Sequence, residues 1–93
     1  MNIQHEESET KGAFFILNDQ NKRTAELTYS KAGADKIIID HTQISDENRG
    51  KSYGKQLVFH AVEFARSNNL KVLPLCPFAQ SVFQRFPELN DVR

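Results

Sequence analysis

Residues 48–55 read NRGKSYGK, and they bring more positive charge and backbone freedom together than any other stretch of this 93-residue chain. Arg49, Lys51 and Lys55 have no acidic residue among them, and Gly50 and Gly54 let the main chain come close to a ligand. The segment leads into a helix, because Leu57, Val58, Ala61, Val62 and Ala65 recur as one apolar stripe. The first four N–H groups of a helix have no internal partner, and the helix dipole adds partial positive charge at that end. Glycines, cations and a helix start together make a phosphate cradle. The competing reading is a glycine-containing loop with solvated cations. A Walker A loop is excluded by spacing, since Gly50 and Gly54 lie one residue too close and Gln56 follows Lys55. A GxGxxG dinucleotide fingerprint is absent.

Two more side chains have chemical potential. Cys76 is the sole cysteine, so an intrachain disulfide is impossible, and its thiolate would be a nucleophile. A buried cysteine can equally be a small apolar filler. His41 has the side chain best suited to general-base work near neutral pH, although a lone histidine is often structural. Asp40 precedes it, and on a regular strand neighbouring side chains point to opposite faces, so only one of the two would face a given substrate.

These groups need a scaffold. Residues 12–17, GAFFIL, form a strand-like apolar run, and 24–30 alternate with Ala25, Leu27 and Tyr29 on one face. The NDQNK turn between them makes a hairpin. Residues 36–44, KIIIDHTQI, begin apolar on both faces, which suits a central strand. A helix follows over about 52–67, with Phe59 off the buried stripe and in need of cover from elsewhere. A strand is expected at 71–76, with Pro74 arguing for an edge, then a short helix at 77–86 opened by Pro77. Residues 1–10 fit either a frayed end or an edge strand. Antiparallel strands followed by strand–helix–strand give an α+β fold, with the crossover joining parallel strands.

Length bounds this to one domain, 1–93. Formal net charge is zero, so the domain as a whole lacks the footprint of a nucleic-acid binder. Charge is nevertheless polarised. Residues 1–47 hold five Lys/Arg against nine Asp/Glu, and 48–93 hold seven against three. A compact anion fits this better than a long polyanion. No signal peptide or membrane-spanning run is visible, and a cytoplasmic monomer without metal or membrane partners is the expectation.

The loop also resembles the acyl-CoA loop of the GNAT superfamily, Arg/Gln-x-x-Gly-x-Gly/Ala, with Arg49 opening it, Gly54 closing it and Ser52 standing where glycine is preferred. His41-Thr42, Arg49-Gly50-Lys51, Phe64-Ala65-Arg66 and the run Val72 to Phe78 (VLPLCPF) together resemble a family of very small, stand-alone GNAT-like acetyltransferases, over about residues 12–90. This resemblance implies a minimal GNAT-like fold that binds acetyl-CoA or CoA. It implies that the two parallel strands splay to admit the pantetheine arm, with Thr42, Gln43 and Ile44 along it. Arg49, Gly50, Lys51, Ser52, Tyr53, Gly54 and Lys55 would hold the phosphates, and Cys76, Pro77 and Phe78 would stand near the thioester. His41 would deprotonate an amine acceptor, and Cys76 would either carry the acetyl group or line the pocket. No tyrosine follows the last strand to protonate the leaving thiolate, where Phe78, Phe83 and Phe86 stand instead, and Tyr53 is the nearest substitute. The resemblance implies an acetyl-CoA-dependent N-acetyltransferase acting by direct attack of an amine. A CoA-binding module with little turnover is the alternative.

Overall fold

A computed structural model describes residues 2–48 and 50–93. One five-stranded sheet runs in sequence order, with β1 (Ile3–Glu7), β2 (Lys11–Leu17), β3 (Arg23–Lys31), β4 (Lys36–Ile44) and β5 (Lys71–Pro74). The first four strands are antiparallel, and β4 and β5 are parallel. Helix α1 (Tyr53–Ser67) makes the crossover, and α2 (Pro77–Arg85) and a 3₁₀ segment, Pro87–Val92, end the chain. The expected α+β order stands, and the undecided N-terminus is an edge strand. His5 stacks on Phe14 with ring centroids 4.2 Å apart, which fastens that strand to β2.

Helices α1 and α2 and the last segment all cover one face of the sheet. Leu57, Val58, Ala61, Val62 and Ala65 of α1 are buried against Phe14, Ile16, Ala25, Leu27, Tyr29, Ile37 and Ile39. Val82 and Phe83 of α2, with Leu89 and Val92 beyond it, close the same core. Phe59 finds its cover in Phe86, edge to face at 5.2 Å. Arg66 pairs with Asp91 at 2.7 Å and holds the last segment against α1. On the bare face stand Phe15, Glu26, Thr28, Ser30 and Ile38, with Arg23 stacked on Phe15 at 3.8 Å. Antiparallel sheets tolerate this arrangement, because period-two alternation sends polar groups to the water side.

Two local features shape the site. Thr28 pairs with His41 and Tyr29 with Ile39, so Asp40 is an extra residue, a β-bulge in β4. And β5 stops at Pro74 opposite Ile39, two residues short of the expected end, while β4 runs on to Ile44. The N–H groups of Leu75 and Cys76 both reach the Ile39 carbonyl, at 3.1 and 3.2 Å, and the chain then turns into α2. Beyond Ile39, β4 keeps β3 on one side and loses its strand partner on the other.

Candidate functional site

The free edge of β4 has defined chemistry. Ser45 N–H bonds the Thr24 carbonyl at 2.9 Å. Strand alternation then turns the amides of Gln43 and His41 toward β3 as well, and those of Thr42 and Ile44 toward the open edge. The Thr42 and Ile44 side chains lie on the helix-covered face, opposite Leu27 and Ala25. At the edge, Cys76 Sγ lies 3.5 Å from Thr42 Oγ1.

Cys76 is the residue just before α2, and it is 7% exposed. Burial pushes its thiol up. Hydrogen bonding by Thr42 and the N–H groups of Ala79, Phe78 and Thr42 outweigh that, so the thiol titrates below its ordinary value. The thiol sits just before α2, in the field of that helix start. Thr42 and the start of α2, rather than His41, supply the groups that lower the thiol.

His41 instead lies on the bare face, paired with Thr28. The expectation that Asp40 and His41 face opposite sides fails, because the bulge breaks the alternation. Asp40 accepts a hydrogen bond from Ser30 Oγ at 2.6 Å, and both Asp40 and His41 line one cavity of about 850 Å³ on the bare face. Glu6, Glu7 and Glu26 also line it, as does Leu75 from the mouth of the gap. Glu6 pairs with Arg23 at 2.6 Å, and Glu7 accepts from Tyr29 at 2.7 Å. These partners hold both carboxyls below the usual carboxylate range, Arg23 for Glu6 and chiefly Tyr29 for Glu7. Among the described residues Asp40 has no cationic partner.

A second cavity, of about 540 Å³, lies on the other side of the gap. It is lined by Thr42, Ile44, Gly50, Ser52, Tyr53, Gly54, Lys55 and Phe78, which are eight of the expected residues. Asn48 and Arg85 join them; Asn48 opens the loop read from the sequence, and Arg85 carries no sequence signal. Asn48 is buried and donates from Nδ2 to Ser45 Oγ at 2.9 Å and to Thr24 Oγ1, which fixes the start of the loop to the ends of β3 and β4. Gln43 and Lys51 are exposed and outside this lining, Pro77 is the first residue of α2, and Arg49 lies outside the described residues.

Helix α1 starts without a side-chain cap and without an acidic residue in its first turn. Its leading N–H groups are therefore open to an anion. Gly50 has φ +87°, and no atom lies near a Cβ placed there, so its glycine serves conformation rather than clearance. Ser52, just before α1, has φ 62° and ψ 21°, in the left-handed region that glycine enters freely. Ser52→Gly should thus raise stability by about 0.5–1 kcal/mol, or a few degrees in melting temperature. Thermal denaturation checks this, and a destabilised variant would mean that the serine hydroxyl earns its place.

The comparisons bear on this geometry. A solution structure of a GCN5-like candidate N-acetyltransferase from Staphylococcus aureus is 40% identical, covers 98% of this chain and 87% of its own, and superposes with a TM-score of 0.74. The ribosomal-protein-alanine N-acetyltransferase of Brucella melitensis biovar Abortus 2308 is 16% identical over 85% of this chain and 62% of its own, with a TM-score of 0.70. A candidate streptothricin acetyltransferase from Bacillus anthracis str. Ames, in complex with acetyl coenzyme A, is 16% identical over 72% of this chain and 39% of its own, with a TM-score of 0.59. The last two share the fold, and this chain spans only part of their length. No curated protein matches at a significant level. A family model described as GCN5-related N-acetyltransferase matches residues 13–92, and with the Staphylococcus relative it shows that the chain belongs to the GCN5-related N-acetyltransferase family.

Proposed function

We propose that this protein transfers the acetyl group of acetyl-CoA to an amine, by direct attack in a ternary complex. The observation that carries this reading is the free edge of β4, which runs from the uncapped start of α1 to Cys76 with a cavity on either side. Phosphates would lie over the first N–H groups of α1. The pantetheine arm would follow the edge-facing amides and carbonyls of Thr42 and Ile44 as a substitute strand. One of those amides would bind the thioester oxygen as charge develops on it. The amine would enter from the bare face, where the carboxylate lining suits a cation, and His41 would take its proton before attack. The acetyl complex of the Bacillus neighbour supports the choice of donor.

Cys76 lines the thioester end in this reading. Its partner is Thr42, with His41 on the other face, so among the described residues no basic side chain stands beside the thiol to drive a covalent route. The test combines calorimetry with intact-protein mass measurement. Acetyl-CoA at about 100 times its dissociation constant should stabilise the fold by about 2.7 kcal/mol. An amine library should yield acetylated product, and Cys76→Ala should keep both properties with a penalty of about 1 kcal/mol or a little more. An acetyl adduct on the protein that hydroxylamine removes, and that Cys76→Ser abolishes together with turnover, would establish the covalent route instead. Binding with no transfer to any amine would leave a CoA-binding module, and no binding at all would remove the acetyl-CoA reading.

A further inference from the structure

The cavity beside α1 has one lining residue from the far end of the chain, Arg85 in the last turn of α2. It is exposed and has no carboxylate partner among the described residues. Its guanidinium carbon lies 5.5 Å from the centre of the Phe86 ring. Lys55, in the first turn of α1, places Nζ 4.6 Å from the same ring and 5.6 Å from that of Phe59. The two rings meet edge to face at 5.2 Å. Two helices thus direct two cations to one aromatic platform, and neither cation pairs with a carboxylate among the described residues. Cation–π contact with Phe86 holds their heads in place before any ligand arrives.

Arg85 is set apart from the glycine loop, which Lys55 adjoins. Gly54 lies beneath the ring of Phe78 at the start of α2, whereas Arg85 stands seven residues further along that helix, roughly 10 Å away at 1.5 Å per residue. The cavity therefore offers two anion-binding regions, one made of backbone N–H groups and one of side-chain cations. Coenzyme A likewise carries two separate anionic groups, the pyrophosphate and the ribose 3′-phosphate. We infer that Arg85, with Lys55, binds the 3′-phosphate and makes the site selective for CoA over 3′-dephospho-CoA. A planar guanidinium suits a terminal phosphate, which it can meet with two parallel hydrogen bonds. This inference rests on the acyl-CoA reading above.

Calorimetric titration with CoA and with 3′-dephospho-CoA at one fixed ionic strength tests it. The wild type should bind CoA at least roughly tenfold more tightly, the scale of a charge-assisted hydrogen bond. Arg85→Gln should lose most of that ratio, leave the dephospho-CoA affinity within about twofold, and keep the melting temperature of the free protein, because the side chain is exposed and unpaired. Lys55→Gln should move the ratio in the same direction, and Arg85→Lys should retain part of it. Equal wild-type affinities, or an Arg85→Gln loss of equal size for both ligands, would overturn the inference while leaving CoA binding intact. A wild type that binds neither ligand would instead refute the acyl-CoA reading on which it stands.

Discussion

Gly12→Ala should lower the melting temperature by roughly 10–20 °C, taking about 2–3 kcal/mol for overpacking and about 4–8 °C per kcal/mol in a chain of this size. In most strands this exchange would help, because alanine has less unfolded-state entropy to lose. Here Gly12 pairs with Tyr29, and a Cβ would lie 2.3 Å from both Cζ and Oη of that ring. The ring has no room to retreat. It is fully buried, its hydroxyl donates to Glu7 at 2.7 Å and meets His5 Nε2 at 2.7 Å, and Phe14 lies beside it with centroids 5.6 Å apart. Burial and Glu7 both raise the phenol, so it stays protonated and keeps that donor throughout the neutral range. The double variant Gly12→Ala with Tyr29→Leu should be markedly less unstable than the two single losses added together, since removing the ring removes the clash. Strict additivity in thermal denaturation would mean that the added methyl is accommodated some other way.

The second large effect arises from the same kind of clash, with the opposite consequence for folding. Gly54 is buried, and a Cβ there would lie 2.7 Å from the Phe78 ring. Phe78 is 41% exposed, so its ring can swing aside. Gly54→Val should therefore fold with a melting temperature close to that of the wild type. The valine and the displaced ring would both fill the cavity over the start of α1, and affinity for acetyl-CoA should fall on the order of 10²-fold, the scale seen when a ligand is displaced by about 1 Å. Lys51→Ala should cost only a few-fold, because Lys51 is exposed and outside the cavity lining, where charge acts through screening solvent. Titration of the two variants side by side decides the point. Equal, small losses would place the ligand away from this helix start.

Much of this architecture could be read from periodicity. The stripe from Leu57 to Ala65 marks a helix with one buried face, and it is buried as the spacing requires. The alternation of Ala25, Leu27 and Tyr29 marks the inner face of β3, and Pro74 marks an edge strand. What stayed hidden depends on tertiary placement. The strand Ile3–Glu7 is mostly polar and becomes a strand through its partner, with His5 laid on Phe14. The bulge at Asp40 has no glycine to announce it, and it is visible only once β3 fixes the register. Cys76 reads as a strand residue until the ladder ends early and the start of α2 takes it over. Arg85 reaches the cavity from a helix whose sequence says nothing about it. Ser52 was visible as a departure from glycine, and the fold supplies its cost, a left-handed backbone borne by a side chain.

The bare face of the sheet also bears on how such a protein can change over generations. Along β3 the residues that hold the core, Ala25, Leu27 and Tyr29, alternate with Glu26, Thr28 and Ser30, which border the open cavity. Two selective pressures are thus written on alternate letters of one strand. A substitution on the cavity side touches no helix and little of the core, so it can retune which partner molecule is accepted at small cost to folding. Where no described helix packs on that face, a lineage built on this sheet can drift in specificity while its inner letters stay fixed.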